Sequence, residues 1–368
     1  MIMPSEPLHQ IATTIAAVIP SYRVKAHILS VISKIGEECS LIYVVDDRCP
    51  ESSGQYVLDH CEDPRVKVIF HDENQGVGGA VLTGYRQAVA DGATVIVKID
   101  GDGQMDPSWI PALTHEITIG EADYAKGDRF YDRESVRGMP AMRLFGNAVL
   151  SFLTKISSGY WDIVDPTNGF TAIDAMVAAN LPYAKISKRY FFESDMLFRL
   201  GTMRCRVVDI PMPAIYGDET SSLSIRKIVG EFMAKHTMNT VKRIMYTYYV
   251  RSFSVASIEL LAGLLLFAFG VGFGVTTWIQ NAAAGLATSS GTVMLAALPA
   301  MLGFQLLLAF LSADISSVPT HAIGRRLGII RPRVATSAVQ GTTGPRVVAV
   351  VPRVVRDAER EPRASLRG

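Results

Sequence analysis

Residues 95–107 read VIVKIDGDGQMDP, and the fold class that the sequence predicts rests on this stretch. An apolar run stops at Asp100-Gly101-Asp102, which is the pattern of a buried strand that ends in carboxylates. Residues two apart in extended backbone point to the same side, so Asp100 and Asp102 can converge on one cation. Their hard oxygen atoms suit Mg²⁺ or Mn²⁺, which keep coordination positions for substrate phosphates. The alternative is a surface turn rich in Asp and Gly, and the spacing alone leaves both interpretations open.

The overall composition excludes some classes of function. The 368 residues include 36 Lys plus Arg against 35 Asp plus Glu, so the net charge gives no basis for nucleic-acid binding. The four cysteines have neither CxxC pairing nor zinc-ligand spacing, which favours reduced thiols in a cytosolic compartment. Residues 11–19 form a short apolar run with no basic region before it, so we expect a first strand and not a signal peptide.

Strands and helices alternate through the first hundred residues. Apolar runs predict strands at residues 14–19, 41–45 and 66–70, and helical spacing predicts helices at 24–36 and 52–61. This alternation predicts an α/β fold with a parallel sheet covered on both faces. Ligands of such sheets bind beyond the carboxyl ends of the strands. Pro20-Ser21-Tyr22, Asp46-Asp47 and Asp100-Gly101-Asp102 would all lie at that edge.

Residues 74–80, NQGVGGA, open a helix that we expect to run to about residue 90. The segment lacks the third glycine of a dinucleotide-binding fingerprint. One interpretation is a helix N-terminus close to a nucleotide or its phosphates. The other is a glycine-rich turn that allows close packing of the helix on the sheet.

In chain order, these four features resemble family 2 glycosyltransferases of the GT-A fold. The likeness is strongest to the branch with dolichol-phosphate mannose synthase and the bacterial polyprenyl-phosphate glucosyltransferases, and it spans residues 14–320. It implies a Rossmann-like, mostly parallel sheet and a nucleotide-sugar donor, with Asp47 near the base and ribose. It further implies Mg²⁺ or Mn²⁺ held by Asp100, Asp102 and Gln104. The implied donor-binding residues are Pro20, Tyr22, Asp46, Asp47, Asn74, Gly76, Gly78, Asp100 and Gly169.

The segment after a predicted strand at residues 123–126 implies the acceptor side. Gly127-Asp128-Arg129 resembles the family's GSR-like segment, with Asp128 where Ser is usual, and the resemblance places Arg129 at the acceptor phosphate. Arg137 and Arg143 follow, and guanidinium groups match phosphate geometry. The alternative is that most of these arginines are solvated loop residues.

Two further segments resemble parts of the family's site. Residues 165–170, DPTNGF, resemble a segment near the donor sugar, and Glu193 and Asp195 resemble an acidic pair at a helix start. Such a carboxylate is the general base where the acceptor is a hydroxyl. A phosphate acceptor has a second pKa of about 6 and requires no base, so Glu193 or Asp195 would orient the site. An acidic helix N-terminus stabilised by the helix dipole is the alternative. The implied catalytic residues are Asp102, Arg129, Glu193 and Asp195.

The C-terminal third predicts a membrane anchor. Residues 225–251 suit amphipathic helices at a membrane surface, and residues 253–279 and 293–313 are apolar enough to span a bilayer. Basic residues flank the two spans, whereas residues 280–292 carry none, so the positive-inside rule places both chain ends in the cytoplasm. We therefore divide the chain into a GT-A domain (1–222), interfacial helices (223–252), a transmembrane hairpin (253–323) and a basic tail (324–368) that we expect to be disordered.

These observations favour inverting transfer of a sugar to polyprenyl (undecaprenyl or dolichyl) phosphate at the cytosolic leaflet of the inner membrane. Mannosyl relatives carry an Arg followed by G-x-S-K where this chain has Asp218 and Glu219 before Ser221. This departure argues against a mannosyl donor and favours the bacterial glucosyltransferase-like subgroup, and the resemblance to that subgroup implies a UDP-sugar donor. The alternatives are a hydroxyl acceptor, in a glycolipid or a polysaccharide, and a non-catalytic membrane scaffold. The resemblance also implies a homo-oligomer such as a tetramer.

Overall fold

The computed structural model describes residues 13–131, 141–213, 225–330 and 345–350. Within them one sheet has the strand order β7-β5-β6-β4-β1-β2-β3-β8. The strands are β1 (Ile15–Ser21), β2 (Cys39–Asp46), β3 (Val66–Phe70), β4 (Val95–Lys98), β5 (Tyr124–Asp128), β6 (Thr171–Asp174), β7 (Val207–Pro211) and β8 (Arg346–Ala349). The helices are α1 (Ile28–Lys34), α2 (Ser53–His60), α3 (Val77–Ala90), α4 (Ile110–Thr118), α5 (Ala141–Ser158), α6 (Ala175–Ala179), α7 (Phe192–Met203), α8 (Ile225–Ile244), α9 (Val255–Ala283), α10 (Ser290–Ser316) and α11 (Gly324–Ile330). A π-helix at Met245–Arg251 connects α8 to α9.

The centre of the sheet follows from the apolar runs of the sequence. Every residue of β1 is buried, and alternate residues of the strand belong to opposite cores. Val18 packs with residues of α3 on one face, whereas Ile19 packs with residues of α1 and α4 on the other. The sheet is therefore covered on both faces, as predicted from its continuous apolar strands.

The sheet is mixed and not wholly parallel. Strands β1, β2, β3 and β4 pair in parallel, and β5 pairs in parallel with β7. Strand β6 lies antiparallel between β4 and β5. Thr171 pairs with Lys98 at the carboxyl end of β4, so the chain enters β6 from that end and must run in the opposite direction. The prediction of a mostly parallel sheet is confirmed, and β6 is its one antiparallel internal strand.

Helices α9 and α10 are long and apolar enough to cross a membrane. They contain 29 and 27 residues, which corresponds to about 40 Å each, against about 30 Å for a hydrocarbon core. The two helices pack closely where small residues face a neighbouring backbone. A Cβ on Gly270 would lie 2.4 Å from the backbone nitrogen of Ala300, and one on Gly303 would lie 2.4 Å from that of Phe267.

After α10 the chain returns to the catalytic domain. The Asp123 carboxylate accepts hydrogen bonds from the backbone N–H groups of Ile323 and Gly324 at the start of α11. Strand β8 then pairs antiparallel with β3, and the Val350 N–H donates to the Val66 carbonyl. Two parts of the tail that we expected to be disordered, Gly324–Ile330 and residues 345–350, thus form a helix and an edge strand, and Val348 and Val350 of the second part pack against the core. Residues 331–344 and 351–368 lie outside the described residues.

Candidate active site

A cavity of about 430 Å³ lies beyond the carboxyl ends of β1 and β4. It brings together most of the residues that the sequence implies for donor binding, from segments as far apart along the chain as Pro20 and Asp100. The lining residues are Pro20, Ser21, Tyr22, Val24, Asp47, Asn74, Gly76, Val77, Ala80, Asp100, Gly101, Asp102, Arg189 and Tyr190.

Asp47 joins the end of β2 to the glycine segment on the cavity wall. Its Oδ1 accepts the Gln75 N–H at 2.8 Å and lies 2.7 Å from His71 Nδ1, and its Oδ2 accepts the Gly76 N–H at 2.7 Å. The Asn74 amide donates to the Asp47 carbonyl oxygen at 3.1 Å. The carboxylate is thus satisfied within the protein, and it shapes the wall that a donor would contact.

Asp46, a residue of the implied donor-binding set, does not line the cavity. Its carboxylate accepts the N–H groups of Cys49 and Gly54, each at 2.7 Å, and thereby fixes the start of α2. Side chains of adjacent residues in extended backbone point to opposite sides, and here the Asp47 side chain faces the cavity.

The glycine segment provides space for residues 187–192, which precede and begin α7. A Cβ on Gly78 would lie 2.6 Å from Phe192 Cδ2, and one on Gly76 would lie 2.6 Å from the Lys188 carbonyl oxygen. Gly76 also has a φ of +84°, a region in which side chains are strained. The geometry favours the packing interpretation of these glycines, with a loop as the partner and not the sheet. Gly76 lines the cavity, whereas Gly78 does not.

Asp100 and Asp102 both line the cavity, as a shared metal site requires. Asp102 Oδ1 accepts the Gln104 N–H at 2.9 Å, and the half-buried Gln104 is not among the lining residues. In the part of the chain that the structure describes, no three His, Cys, Asp or Glu side chains converge on one point. Two carboxylates are a sufficient protein contribution for Mg²⁺ or Mn²⁺, because these ions take their remaining ligands from water and substrate phosphates.

Two buried lysines, which the sequence interpretation missed, lie behind this cavity. Lys98 Nζ lies 2.9 Å from Asp100 Oδ1 and 3.4 Å from Glu193 Oε1, and its side chain is 1% exposed. Lys126 is equally buried on β5 and donates to the Asn168 carbonyl oxygen. Each lysine follows apolar residues of a strand, in VIVK and in YAK, and a charge in such a run was the signal that could have revealed them.

The neighbours of the two lysines set their protonation differently. Burial lowers the pKa of Lys98, but the carboxylates of Asp100 and Glu193 outweigh burial, so the net pKa is raised. Burial dominates at Lys126 and lowers its pKa to about 8. Lys98 is therefore a permanent cation that holds two carboxylates of the site in place.

Gly169, implied to lie near the donor sugar, packs directly on Lys98. A Cβ at residue 169 would lie 2.3 Å from Lys98 Nζ and 3.0 Å from Asp100 Oδ2. Glycine is therefore required here because the ammonium group occupies the position of a side chain. Gly169 shapes the cavity from behind Asp100 and is not itself a lining residue.

Arg129 lies just beyond the end of β5 in a bidentate ion pair. Its Nε donates to Asp165 Oδ2 at 2.7 Å and its Nη2 to Asp165 Oδ1 at 3.1 Å, with Thr167 Oγ1 at 3.3 Å. The Arg129 side chain is 37% exposed, whereas Asp165 is buried. Burial raises the pKa of Asp165, but the Arg129 guanidinium outweighs it and keeps the net pKa low. Arg137 and the side chain of Arg143 lie outside the described residues.

The acidic pair at the start of α7 divides into two roles. Glu193 faces Lys98. Asp195 Oδ2 accepts the Ser187 N–H at 2.8 Å, and its Oδ1 accepts from the Asn239 amide of α8 at 3.3 Å. Asp195 therefore anchors the loop before α7 to the helices around it, and Glu193 is the member of the pair that faces the site.

The buried carboxylate of Asp314, on α10, joins the apolar hairpin to the sheet domain. Asp314 Oδ1 accepts from Arg243 Nη1 at 2.7 Å and from the Tyr248 hydroxyl at 2.6 Å. Its Oδ2 accepts from the Trp161 indole at 2.9 Å and from Arg243 Nη2 at 3.0 Å. Arg243 also donates to the Ile156 carbonyl oxygen of α5 at 3.0 Å. These contacts connect α5, α8 and α10 through one buried group.

Fold and site together define an α/β protein with an acidic cavity at the carboxyl edge of its sheet and two apolar helices beside it. Residues 17–181 match the model of the family described as "Glycosyl transferase family 2". The chain is 30% identical over 199 residues to the undecaprenyl-phosphate mannosyltransferase of Micrococcus luteus, covering 53% of this chain and 80% of that one. The chain belongs to glycosyl transferase family 2, and the predictions of a GT-A-like fold and of glycosyltransferase activity are confirmed.

Other relatives and solved structures are similar to parts of the chain. The UDP-N-acetylglucosamine–dolichyl-phosphate N-acetylglucosaminyltransferase of Methanococcus voltae is 26% identical over 227 residues, which cover 58% of this chain and 90% of that one. The polyprenol monophosphomannose synthase of Mycolicibacterium smegmatis is 27% identical over 200 residues, or 53% and 75% of the two chains. Glucosyl-3-phosphoglycerate synthase of Mycobacterium tuberculosis, solved with Mn²⁺, UDP and phosphoglyceric acid, superimposes with a TM-score of 0.48 at 15% identity, over 63% and 78% of the two chains.

Proposed function

We propose that this glycosyltransferase moves a sugar from a UDP-sugar to polyprenyl phosphate, with inversion, at the cytosolic leaflet of the inner membrane. The observation that carries the proposal is the contact between the wall of the acidic cavity and α8, the helix that leads through the π-helix into the apolar helices. Tyr190 lines the cavity, and the next residue, Phe191, packs edge to face on Phe232 of α8 with ring centroids 5.3 Å apart. A water-soluble donor in the cavity and a lipid-borne acceptor beside α8 can therefore come close to each other. The names of three relatives, which include dolichyl, undecaprenyl and polyprenol acceptors, support this acceptor class.

The proposed reaction is a single displacement at the anomeric carbon of the donor sugar. An oxygen of the prenyl phosphate forms the new bond, and the bond to the nucleoside diphosphate breaks with its electron pair on the leaving oxygen. Because a phosphate monoester is already largely ionised near neutral pH, no side chain has to remove a proton. Asp100 and Asp102 would hold Mg²⁺ or Mn²⁺, which supplies positive charge against the leaving diphosphate when bound.

The acceptor phosphate fits the side of the sheet where Arg129 lies. This guanidinium is held in one orientation by Asp165, and its side chain is 37% exposed, so an anion can approach its positive charge. Lys98 and Glu193 lie between the donor cavity and that side. In this proposal they position the reacting groups and transfer no proton.

The proposed membrane arrangement rests on strand β8, which follows the apolar helices in the chain and belongs to the same sheet as the strands before them. Helices α9 and α10 separate β7 from β8, yet both strands belong to one sheet, so the apolar hairpin leaves and re-enters on the same side. The catalytic domain and the described part of the tail would then be cytoplasmic. The connection between α9 and α10 would lie outside.

The test is release of nucleoside diphosphate by the full chain in lipid nanodiscs with Mn²⁺. We expect release only when undecaprenyl phosphate accompanies the correct nucleotide-sugar, which a panel of UDP- and GDP-sugars identifies. Asp102→Asn should abolish release, whereas Asp106→Asn, a change of the same kind at a residue outside the cavity, should not. If release of nucleoside diphosphate required a diacylglycerol or a polysaccharide instead, the acceptor would be a hydroxyl group and the proposed acceptor class would be wrong. No release with any acceptor would favour the scaffold.

A further inference from the structure

Residues 187–190, which we call the strap, cross the glycine segment at the mouth of the donor cavity. The Gly79 N–H donates to the Lys188 carbonyl oxygen at 3.2 Å, and Lys188 Nζ donates to Gln75 Oε1 at 2.9 Å. The start of the strap is held by Asp195, whose carboxylate accepts the Ser187 N–H. The strap is thus fixed from both sides, and its last two residues, Arg189 and Tyr190, line the cavity.

Arg189 differs from the other charged groups of the cavity. Among the described residues that line it, Arg189 is the one Lys or Arg, and the remaining charged lining residues are Asp47, Asp100 and Asp102. Lys98 is close by, but its ammonium already contacts two carboxylates. The methylene stem of Arg189 passes over Gly76, where an added Cβ would lie 2.9 Å from Arg189 Cγ.

We propose that Arg189 binds the diphosphate of the nucleotide donor and so selects donors that carry one. This inference rests on the proposed function, because it assigns a residue to the same donor site. A nucleoside diphosphate brings two or more negative charges into a cavity that already holds carboxylates. A divalent cation offsets part of that charge, and a guanidinium, which stays ionised and donates in a fork, offsets more.

The glycines of the segment then acquire a second purpose. Their missing side chains let the strap lie directly on the glycine segment, so that Arg189 lines the same cavity as Asp100 and Asp102. Selectivity for a diphosphate would therefore depend on a residue from the loop before α7 and not on the glycine segment itself. The sequence left open whether the glycine segment lies close to the phosphates, and this proposal gives that role to Arg189.

The test compares equilibrium binding of UDP, UMP and uridine to the full chain in nanodiscs with Mn²⁺, with the guanosine series alongside. In the variant Arg189→Gln we expect the affinity for the diphosphate to fall about tenfold or more, as for loss of a charge-assisted hydrogen bond, with nucleoside affinity unchanged. Arg189→Lys should recover part of the loss. The matched control Lys185→Gln removes one charge from the preceding turn, outside the cavity lining, and should bind like wild type.

Each other outcome has a distinct meaning. Diphosphate affinity within twofold of wild type in Arg189→Gln would overturn the inference while leaving the proposed function intact. Equal losses for diphosphate and nucleoside would also overturn it, because they would indicate a collapsed strap. If wild-type protein bound no nucleotide of either series, the proposed function and this inference would fail together.

Discussion

Lys98 shows how one residue organises the site. Its ammonium group lies between Asp100 and Glu193 and fills the space that a side chain at residue 169 would occupy. Without it, two carboxylates would face each other in a poorly solvated interior, an arrangement that disfavours ionisation of both. The residue is thus as much a part of the donor site as the carboxylates that the cavity exposes.

We predict that Lys98→Met lowers the free energy of unfolding by about 3 kcal/mol, because removing one partner of a buried ion pair leaves the other charges uncompensated. Sugar transfer should be lost as well. Thermal unfolding and nucleoside diphosphate release measure the two effects. The double variant Lys98→Met/Glu193→Gln removes one of the two uncompensated charges and should recover part of the stability without activity. A stable and active Lys98→Met would contradict this role.

Residues of the site were predictable to different degrees. Asp100 and Asp102 were visible because carboxylates that interrupt an apolar run mark the end of a strand. Lys98 was not, since its role depends on Glu193, which is far away along the chain and close only in the fold. Asp46 and Asp47 show the same limit, because an adjacent pair of acids does not reveal which one faces the ligand.

At the scale of elements, the strap and the glycine segment behave as one unit. Gly78→Ala places a Cβ 2.6 Å from Phe192 Cδ2, so we predict a loss of about 1–3 kcal/mol of stability from overpacking and a raised KM for the nucleotide-sugar. Steady-state kinetics with the acceptor held constant measure the second effect. Gly146→Ala on α5 is the control, because its Cβ meets nothing within 4 Å. A KM that moved equally in both variants would argue against the coupling.

The contact between α5 and α8 contains a buried histidine that should make stability depend on pH. His236 Nδ1 lies 2.9 Å from Ser157 Oγ, and burial lowers its pKa to about 4 from an ordinary 6.5. Between pH 6.5 and 4 the unfolded chain therefore binds a proton that the folded chain does not. Its contribution to stability is complete above pH 6.5 and is lost as the pH falls towards 4.

We predict that wild-type protein loses up to about 1.4 kcal/mol more per pH unit than His236→Gln across that window. Thermal or denaturant unfolding of both proteins in nanodiscs between pH 4.5 and 7.5 measures the difference. Parallel pH profiles for the two proteins would contradict the assignment to His236.

Most elements could be predicted, whereas the direction of one strand could not. Apolar runs located β1 to β5, and helical spacing located α2 and α3 within a few residues. Strand β6 has only four residues, and hydrophobic pattern carries no information on strand direction, so its antiparallel course appeared only in the fold. The sequence did not predict strand β8, because its apolar residues follow a basic stretch whose hydrophobic pattern has no clear period.

At the scale of the whole molecule, β7 and β8 belong to one sheet although α9 and α10 lie between them in the chain. This topology predicts which residues lie on the same side of the membrane. Ala287, between α9 and α10, should lie across the bilayer from the exposed Tyr131 of the catalytic domain. In a Cys61→Ser background, which removes the one half-buried native thiol, we predict that Ala287→Cys reacts with a membrane-impermeant maleimide in intact spheroplasts. Tyr131→Cys should react only after lysis. The reverse pattern would invert the proposed orientation.

The two long apolar helices were predictable from composition alone, but their attachment to the rest of the protein was not. Long apolar runs identify spans whatever their partners are, and residues 253–279 and 293–313 fall largely within α9 and α10. The attachment depends on Asp314, one acid near the end of an apolar run, meeting Arg243, Trp161 and Tyr248 from three other segments. No local pattern marks such a meeting.

The Asp314 contacts have a practical consequence for anyone who divides this protein. A soluble truncation ending at residue 252 would remove Asp314, the common acceptor of Arg243, Trp161 and Tyr248. It would also expose the surface that α9 and α10 cover in the full chain. Grafting a foreign anchor onto the same domain would fail for the same reason, unless the graft carried an acid at the matching depth. The catalytic domain and the apolar hairpin are therefore joined through the Asp314 carboxylate, and a chimera must keep an equivalent acceptor at that position.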